Sequence, residues 1–496
     1  MMARLASLPL PRARLAYVIA GLALAGLAAY SYLKGATEQI NFYAIVYHVV
    51  NYGDGLIRRG LPGEMLSWFV DQKDIAAVRA AVNISYVVLQ AGLAVALFAW
   101  VIVIDMRRRD YLLFGLFAVF LASQFVPTLA GDNGYLDVYA YILLVAAAVG
   151  FARRWPVMVI LAGLVGPFIH ESFLFCWLTL CVVVLWQGVS PVRLLLLCVP
   201  LISTTAIELS ITSGPITSQL MASALTPENK AHGLRWVFGQ NAALNLDLMI
   251  VKLRHYAVNV AIAFAFYTLP AAISIGVYGV ARRRWSDAFV LAAATLAPLV
   301  ILLLAWDLSR FLAGANFFAL LAILYMETVR PAPRTSWRSP VLCAAIALIL
   351  IQVPFIYAYF EIATVSDRGP VDMRTWPLGR IAVTGTQYFN RYVGPRFIAQ
   401  VGHESPPGDA WYVEENGWRG TWIRRPGTNV FDAGMAMGGD VVPYTATVER
   451  SGNTIIVRRQ YGTDESTRMD YIGTLDGDVI RGTSPGGRWI ALVRHL

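Results

Sequence analysis

Over the first three quarters of the sequence, apolar runs of about 20 residues recur between short breaks rich in Arg, and this pattern decides most of what the chain can fold into. Twenty helical residues rise about 30 Å, the thickness of a bilayer's hydrocarbon core. Backbone placed there must satisfy its own N–H and C=O groups, so such runs are helices. They fall near 15–33, 81–104, 111–130, 137–152, 156–171, 173–187, 194–211, 257–280, 288–306, 309–327 and 340–360. This predicts a polytopic α-helical membrane protein with about 11 transmembrane helices. The three runs between 137 and 187 are short, as kinked, tilted or re-entrant segments would be. Composition agrees: 57% of residues are hydrophobic and 14% charged, against about a quarter charged in soluble proteins.

The formal charge of +9 does not indicate a nucleic-acid partner, because of where it sits. Residues 361–496 carry 15 Arg and no Lys against 15 Asp plus Glu, so the excess belongs to the apolar part. With the N-terminus in the cytoplasm, the short inward loops hold 15 basic residues, among them Arg107, Arg108, Arg109, Arg282, Arg283 and Arg284, against four acidic ones. That asymmetry is the positive-inside pattern, and it predicts that the C-terminus lies outside. The run after Arg12 and Arg14 is longer than a signal peptide's apolar core and is expected to stay as an anchor. Cys176, Cys181, Cys198 and Cys343 all lie in apolar runs without metal-ligand spacing and read as small buried hydrophobes.

The pattern changes near residue 405. Short alternating segments appear, such as Trp418 to Arg424, Tyr444 to Glu449, Thr454 to Arg459 and Trp489 to Val493, with Ser451-Gly452-Asn453 as a turn. They predict a small antiparallel β sandwich or barrel. The expected organisation is a transmembrane helical domain over 1–360, a linker over 361–404 and an extracytoplasmic β-rich domain over 405–496. The loop 212–256 mixes aromatics, aliphatics and cations, which fits either an interfacial helix or a loop packed on other loops.

Four stretches carry groups capable of chemistry. The loop Asn51 to Gly63 presents Asp54 four and five residues before Arg58 and Arg59. The planar fork of Arg suits phosphate, and the same residues also suit a salt bridge that closes the loop. The loop Gly131 to Asp137 adds Asp132, in a turn setting, and Asp137, at a helix start where an N-cap belongs. His170 and Glu171 interrupt an apolar stretch, where a charge at the bilayer centre costs roughly 2.5–3.5 kcal/mol. His170 can accept a proton near neutral pH with Glu171 as its orienter or as the base itself, or the pair can be an interhelical hydrogen bond. Asp307 and Arg310, three apart, can share a helix face as a cap and a local ion pair or as a further part of the site. All four stretches fall on the outward side.

Many helices, an acidic first outer loop around Asp54 and outward Arg and His residues resemble the GT-C membrane glycosyltransferases and the bacterial envelope polysaccharide polymerases, over residues 15 to 360. The segment Gly417 to Ala433 resembles small secreted bacterial β-domains. The resemblance implies a multi-pass protein of the bacterial inner membrane that transfers sugar from a polyprenyl-phosphate-linked donor on the periplasmic side. Its partners would be that lipid-linked donor, a glycan, lipid or protein acceptor, the membrane lipids, and envelope assembly proteins met by the β-domain. Asp54 matches the family's base, although the adjacent acidic pair frequent in that loop is missing. Arg58, Arg59 and Arg310 would neutralise the departing phosphate, Asp132, Asp137 and Asp307 would line the substrate, and Asp54 or the His170 and Glu171 pair would take the proton. The scheme requires neither a metal nor another cofactor. A secondary transporter or a non-enzymatic scaffold of an envelope glycan assembly complex are the other readings.

Overall fold

The computed structural model describes residues 11–36, 40, 42–54, 59–108, 110–210, 219–220, 223, 225, 257–303, 308–332, 335–336, 338–358, 363–365, 377–388, 406–415, 418–437, 440–460, 469–484 and 487–494. The first part is helical: α1 (Pro11–Gly35), α2 (Ile75–Arg108), α3 (Leu112–Ala122), α4 (Phe125–Gly131), α5 (Asp137–Arg153), α6 (Pro156–Ile169), α7 (Phe173–Trp186) and α8 (Pro191–Ser210). After it come α9 (Ala257–Arg282), α10 (Trp285–Leu296) with a 3-10 continuation over Ala297–Leu303, α11 (Leu308–Val329) and α12 (Arg338–Leu350).

Six of these elements are long and apolar enough to cross a membrane, and α3 with α4, bent by 43° at their junction, makes a seventh. The chain is therefore membrane-associated, but the expected count of about 11 is not supported. Helices α5 (17 residues), α6 and α7 (14 each) and α12 (13) are too short by themselves. A 14-residue helix rises only about 21 Å, so an apolar run can read as a span and still stop short of one.

Helix α11 runs through the centre, with 89% of its apolar stretch buried, and every residue of α3 is buried beside it. Phe117, Phe120, Phe125, Tyr141 and Phe317 stack through the middle of this core. Helices α2, α9 and α11 end together at an ion network. Arg282 Nε lies 3.0 Å from Glu327 Oε1, its Nη1 bonds Asp110, and Arg108 also bonds Glu327. Burial raises the Asp110 pKa, but Arg282 and the Thr335 hydroxyl, 2.7 Å away, bring it below the ordinary carboxylate value.

The last predicted run, 340–360, ends early. Pro354 cannot continue a helix, and Lys34 Nζ donates to the Ile351 and Val353 carbonyls at 3.3 and 2.8 Å, so the chain turns there. It enters a hairpin of β1 (Ile356–Ala358) and β2 (Ala363–Val365), and α13 (Pro377–Tyr388) follows inside the stretch expected to be a linker.

The C-terminal unit is a closed antiparallel barrel of eight strands: β3 (Ala410–Glu415), β4 (Trp418–Arg424), β5 (Val430–Met437), β6 (Asp440–Ser451), β7 (Thr454–Gln460), β8 (Met469–Asp476), β9 (Val479–Ser484) and β10 (Gly487–Arg494). Neighbours in sequence pair, and β10 closes on β3 with Leu492 opposite Tyr412. Alternate residues fill the interior, among them Trp411, Trp422, Phe431, Tyr471 and Trp489. In the β6–β7 turn, Gly452 takes φ +56°, a left-handed backbone that glycine adopts without cost.

Candidate active site at one end of the helical bundle

At the end of the bundle opposite the Arg282 network, a short loop folds under the helix starts. Residues Phe42–Ile45 and Val46–His48 form short turns of helix, Tyr52–Asp54 a 3-10 turn, and Leu61–Ser67 a seven-residue helix. Gly63 makes this fold possible: a Cβ there would lie 1.9 Å from the Val50 carbonyl oxygen. Gln72 Nε2 donates to the His48 and Gly63 carbonyls at 2.9 and 2.8 Å, tying loop to helix.

Within this frame Arg59 takes φ +59°, uncommon for a residue with a side chain. Its backbone N–H donates to Glu208 Oε2 at 3.3 Å. Its guanidinium grips Glu171 by both oxygens, Nε to Oε2 at 2.7 Å and Nη2 to Oε1, the bidentate geometry in which Arg binds carboxylate most strongly. Burial opposes the Arg59 charge, yet Glu171 outweighs it and holds the pKa above the ordinary value.

Glu171 reaches Arg59 because α6 stops at Ile169 and α7 starts at Phe173, leaving a three-residue break. His170 leaves the helix in extended backbone, and the Ser172 N–H donates to its Nδ1 at 3.0 Å. The neutral ring therefore carries its proton on Nε2. Nδ1 lies 3.6 Å from Glu171 Oε2 but is already engaged by Ser172, so Glu171 orients Arg59 rather than His170.

The second ion pair joins Arg310, at the start of α11, to Asp137, 3.3 Å away at the start of α5. Leu136 occupies the N-cap position, so Asp137 sits in the first turn instead of capping, and its carboxylate faces Arg310. Two tyrosines bridge the pairs. The Arg59 guanidinium stands 5.7 Å from the Tyr47 ring centre, that of Arg310 stands 4.4 Å from Tyr135, and the two rings are 6.2 Å apart. All four charges act on the Tyr47 hydroxyl, whose pKa burial raises first of all.

Asp132 is buried at the end of α4, its carbonyl closing the turn to the Tyr135 N–H at 3.1 Å. His48 Nε2–H donates to the Gly134 carbonyl at 3.0 Å; burial takes the ring's pKa down to about 4. Gly134 has φ +92°, and a Cβ there would strike Ile40 and Ala44.

Of the residues singled out in the sequence, Arg59, Asp132, Asp137, His170, Glu171 and Arg310 thus lie at this one end. Arg58, Asp307, the side chain of Asp54 and most of the loop 212–256 lie outside the described residues. Sequence reasoning missed Tyr47, His48, Tyr135 and Glu208. Only Glu208 carried a signal, a lone carboxylate near the end of an apolar helix. No family model, curated protein or solved structure matches this chain.

Proposed function

We propose that the helical part is a membrane-embedded glycosyltransferase or polysaccharide polymerase. It would take sugar from a polyprenyl-phosphate or diphosphate donor and pass it to a glycan, lipid or protein acceptor. One observation carries this reading: two guanidiniums, the buried one of Arg59 and the partly buried one of Arg310, come from distant stretches to one end of the bundle, each paired with a carboxylate and set over a tyrosine. In this reading all eleven helical passes cross, with the 14-residue ones accommodated by a locally thinned bilayer. The N-terminus and the Arg282 network face the cytoplasm, and the cluster and the barrel face the periplasm.

The acceptor oxygen attacks the anomeric carbon, the bond from that carbon to the phosphate oxygen breaks, and the electron pair leaves on the phosphate. Arg59, Arg310 and Arg58 neutralise that charge. A phosphate drawn to Arg59 competes with Glu171 for the same fork of donors. The displaced carboxylate is then available to take the acceptor's proton, beside His170 and with Asp54 as the other base. Lipid-linked sugars extracted from the host's own membranes and offered to the purified chain in nanodiscs test this. Sugar should leave the polyprenyl carrier, and Arg59→Ala and Arg310→Ala should slow the loss about 100-fold or more while the protein stays folded. Donor that stays intact with the wild-type chain would reject the reaction.

A further inference from the structure

On the short helix that follows Arg59 and in the turn that ends it, the structure leaves three large apolar side chains uncovered: Met65 is 45% exposed, Trp68 67% and Phe69 82%. The other side of this helix is packed, with Leu61 and Leu66 in the cluster beneath the site and Glu64 Oε2 accepting the Tyr52 N–H at 3.0 Å. Trp68 Nε1 donates to Glu64 Oε1 at 3.2 Å, so the indole's polar atom is satisfied within the protein and its ring is presented outward. We propose that Met65, Trp68 and Phe69 form a lipid-binding tip that enters the headgroup layer of the bilayer and fixes the depth of the Arg59 turn.

The depth follows from α2. Its first exposed large apolar residue is Ile84, which marks where its lipid-facing side begins. Leu66 and Val70, beside the tip, pack against the buried cluster that also contains Val78 and Val82 of α2, in the stretch before Ile84. The tip therefore belongs to the end of the bundle where the apolar belt gives way to the headgroup layer, roughly 5–7 Å thick. That layer is where Trp is enriched, with an apolar ring and a satisfied polar edge. The neighbouring charges, Asp71, Lys73 and Asp74, are of mixed sign and exposed, and Asp74 Oδ1 caps α2 through the Ala76 and Ala77 N–H groups at 3.0 Å. The occupant is therefore a zwitterionic phospholipid surface, with no requirement for anionic headgroups.

A Phe69→Cys variant carrying an environment-sensitive fluorophore, in full-length protein reconstituted in phosphatidylcholine nanodiscs, tests the tip. A Thr447→Cys label on the barrel serves as control, and the unsubstituted chain as labelling blank. The expected result is a blue-shifted Phe69 label that is quenched several-fold more by spin-labelled lipid than by aqueous iodide, with the reverse at Thr447. Iodide quenching equal to that of the control would put the tip in water and overturn the proposal. Protection from both quenchers would mean that a protein surface covers it, which overturns the proposal too. Trp68→Ala/Phe69→Ala should halve or further reduce protection of a labelled Met65→Cys site from iodide, and unchanged protection there counts against the tip as well.

Discussion

Arg59 and Glu171 show how much one contact can hold. The Arg59 side chain is 5% exposed and Glu171 21%, so removing the carboxylate leaves a guanidinium with little water to turn to. Breaking such a pair costs about 3–5 kcal/mol when both partners are deep, and the exposure of Glu171 puts Glu171→Gln near the lower bound. Its apparent melting temperature in detergent should fall clearly below wild type, whereas Arg59→Met/Glu171→Leu should recover part of the loss because no charge is left stranded. A double variant no better than the single one would mean that the pair does not act as a unit. His48 gives a pH dependence of known sign. Its pKa is about 4 in the fold against an ordinary 6.5, so between these values the unfolded chain takes up a proton that the folded one refuses. Its contribution is complete above pH 6.5 and drains away as pH falls towards 4, an effect on the order of 3 kcal/mol. Unfolding followed across that range should be less pH-dependent for His48→Gln than for wild type.

At the scale of elements, the sequence disclosed whatever periodicity encodes. The strand read over Trp418 to Arg424 is β4 residue for residue, and the run at 81–104 is the middle of α2. What it could not disclose is which distant residue holds a break in place. The break read between the runs 156–171 and 173–187 is where α6 ends and α7 begins, but the grip of Arg59 on Glu171, 112 residues away in sequence, left no periodic signal. Likewise the spacing of Asp307 and Arg310 allows a local ion pair or a part in the site, while the partner observed for Arg310, Asp137, comes from another helix and no spacing announces it. Glycines separate these cases experimentally. Gly63→Ala must push the Leu61–Ser67 helix off Val50, so it should destabilise the protein and expose the loop to protease. Gly92, inside α2, has nothing within 4 Å of a Cβ position, so Gly92→Ala should leave stability unchanged or raise it by up to about 1 kcal/mol. Equal effects at the two positions would contradict this account of the loop.

Across the whole molecule, the described residues form four buried clusters, three in the helical part and one in the barrel, and the barrel's is self-contained. Its eight strands close, so no row of unpaired N–H and C=O groups is offered to a neighbour. The interior even holds a charge: Arg459, fully buried, lies 3.1 Å from Glu415 Oε2 and 3.7 Å from the Tyr471 ring centre, with Trp422 and Tyr444 at 5.0 Å. Such a guanidinium is tolerable only while the wall around it is complete. Closure depends on β10, which pairs with β9 and β3 and inserts Trp489, Ala491 and Val493 into the core. Ending the chain after Ser484 removes that strand, opens two edges of at least six residues and lets water reach Arg459 and Glu415. The residues from 406 onward, expressed alone, should be monomeric, rich in β-structure and cooperative in unfolding. The same fragment ended at Ser484 should aggregate or be digested, because edges of that length recruit other chains. A truncated fragment that stayed monomeric and folded would show that the core, and not the closure, holds the barrel together.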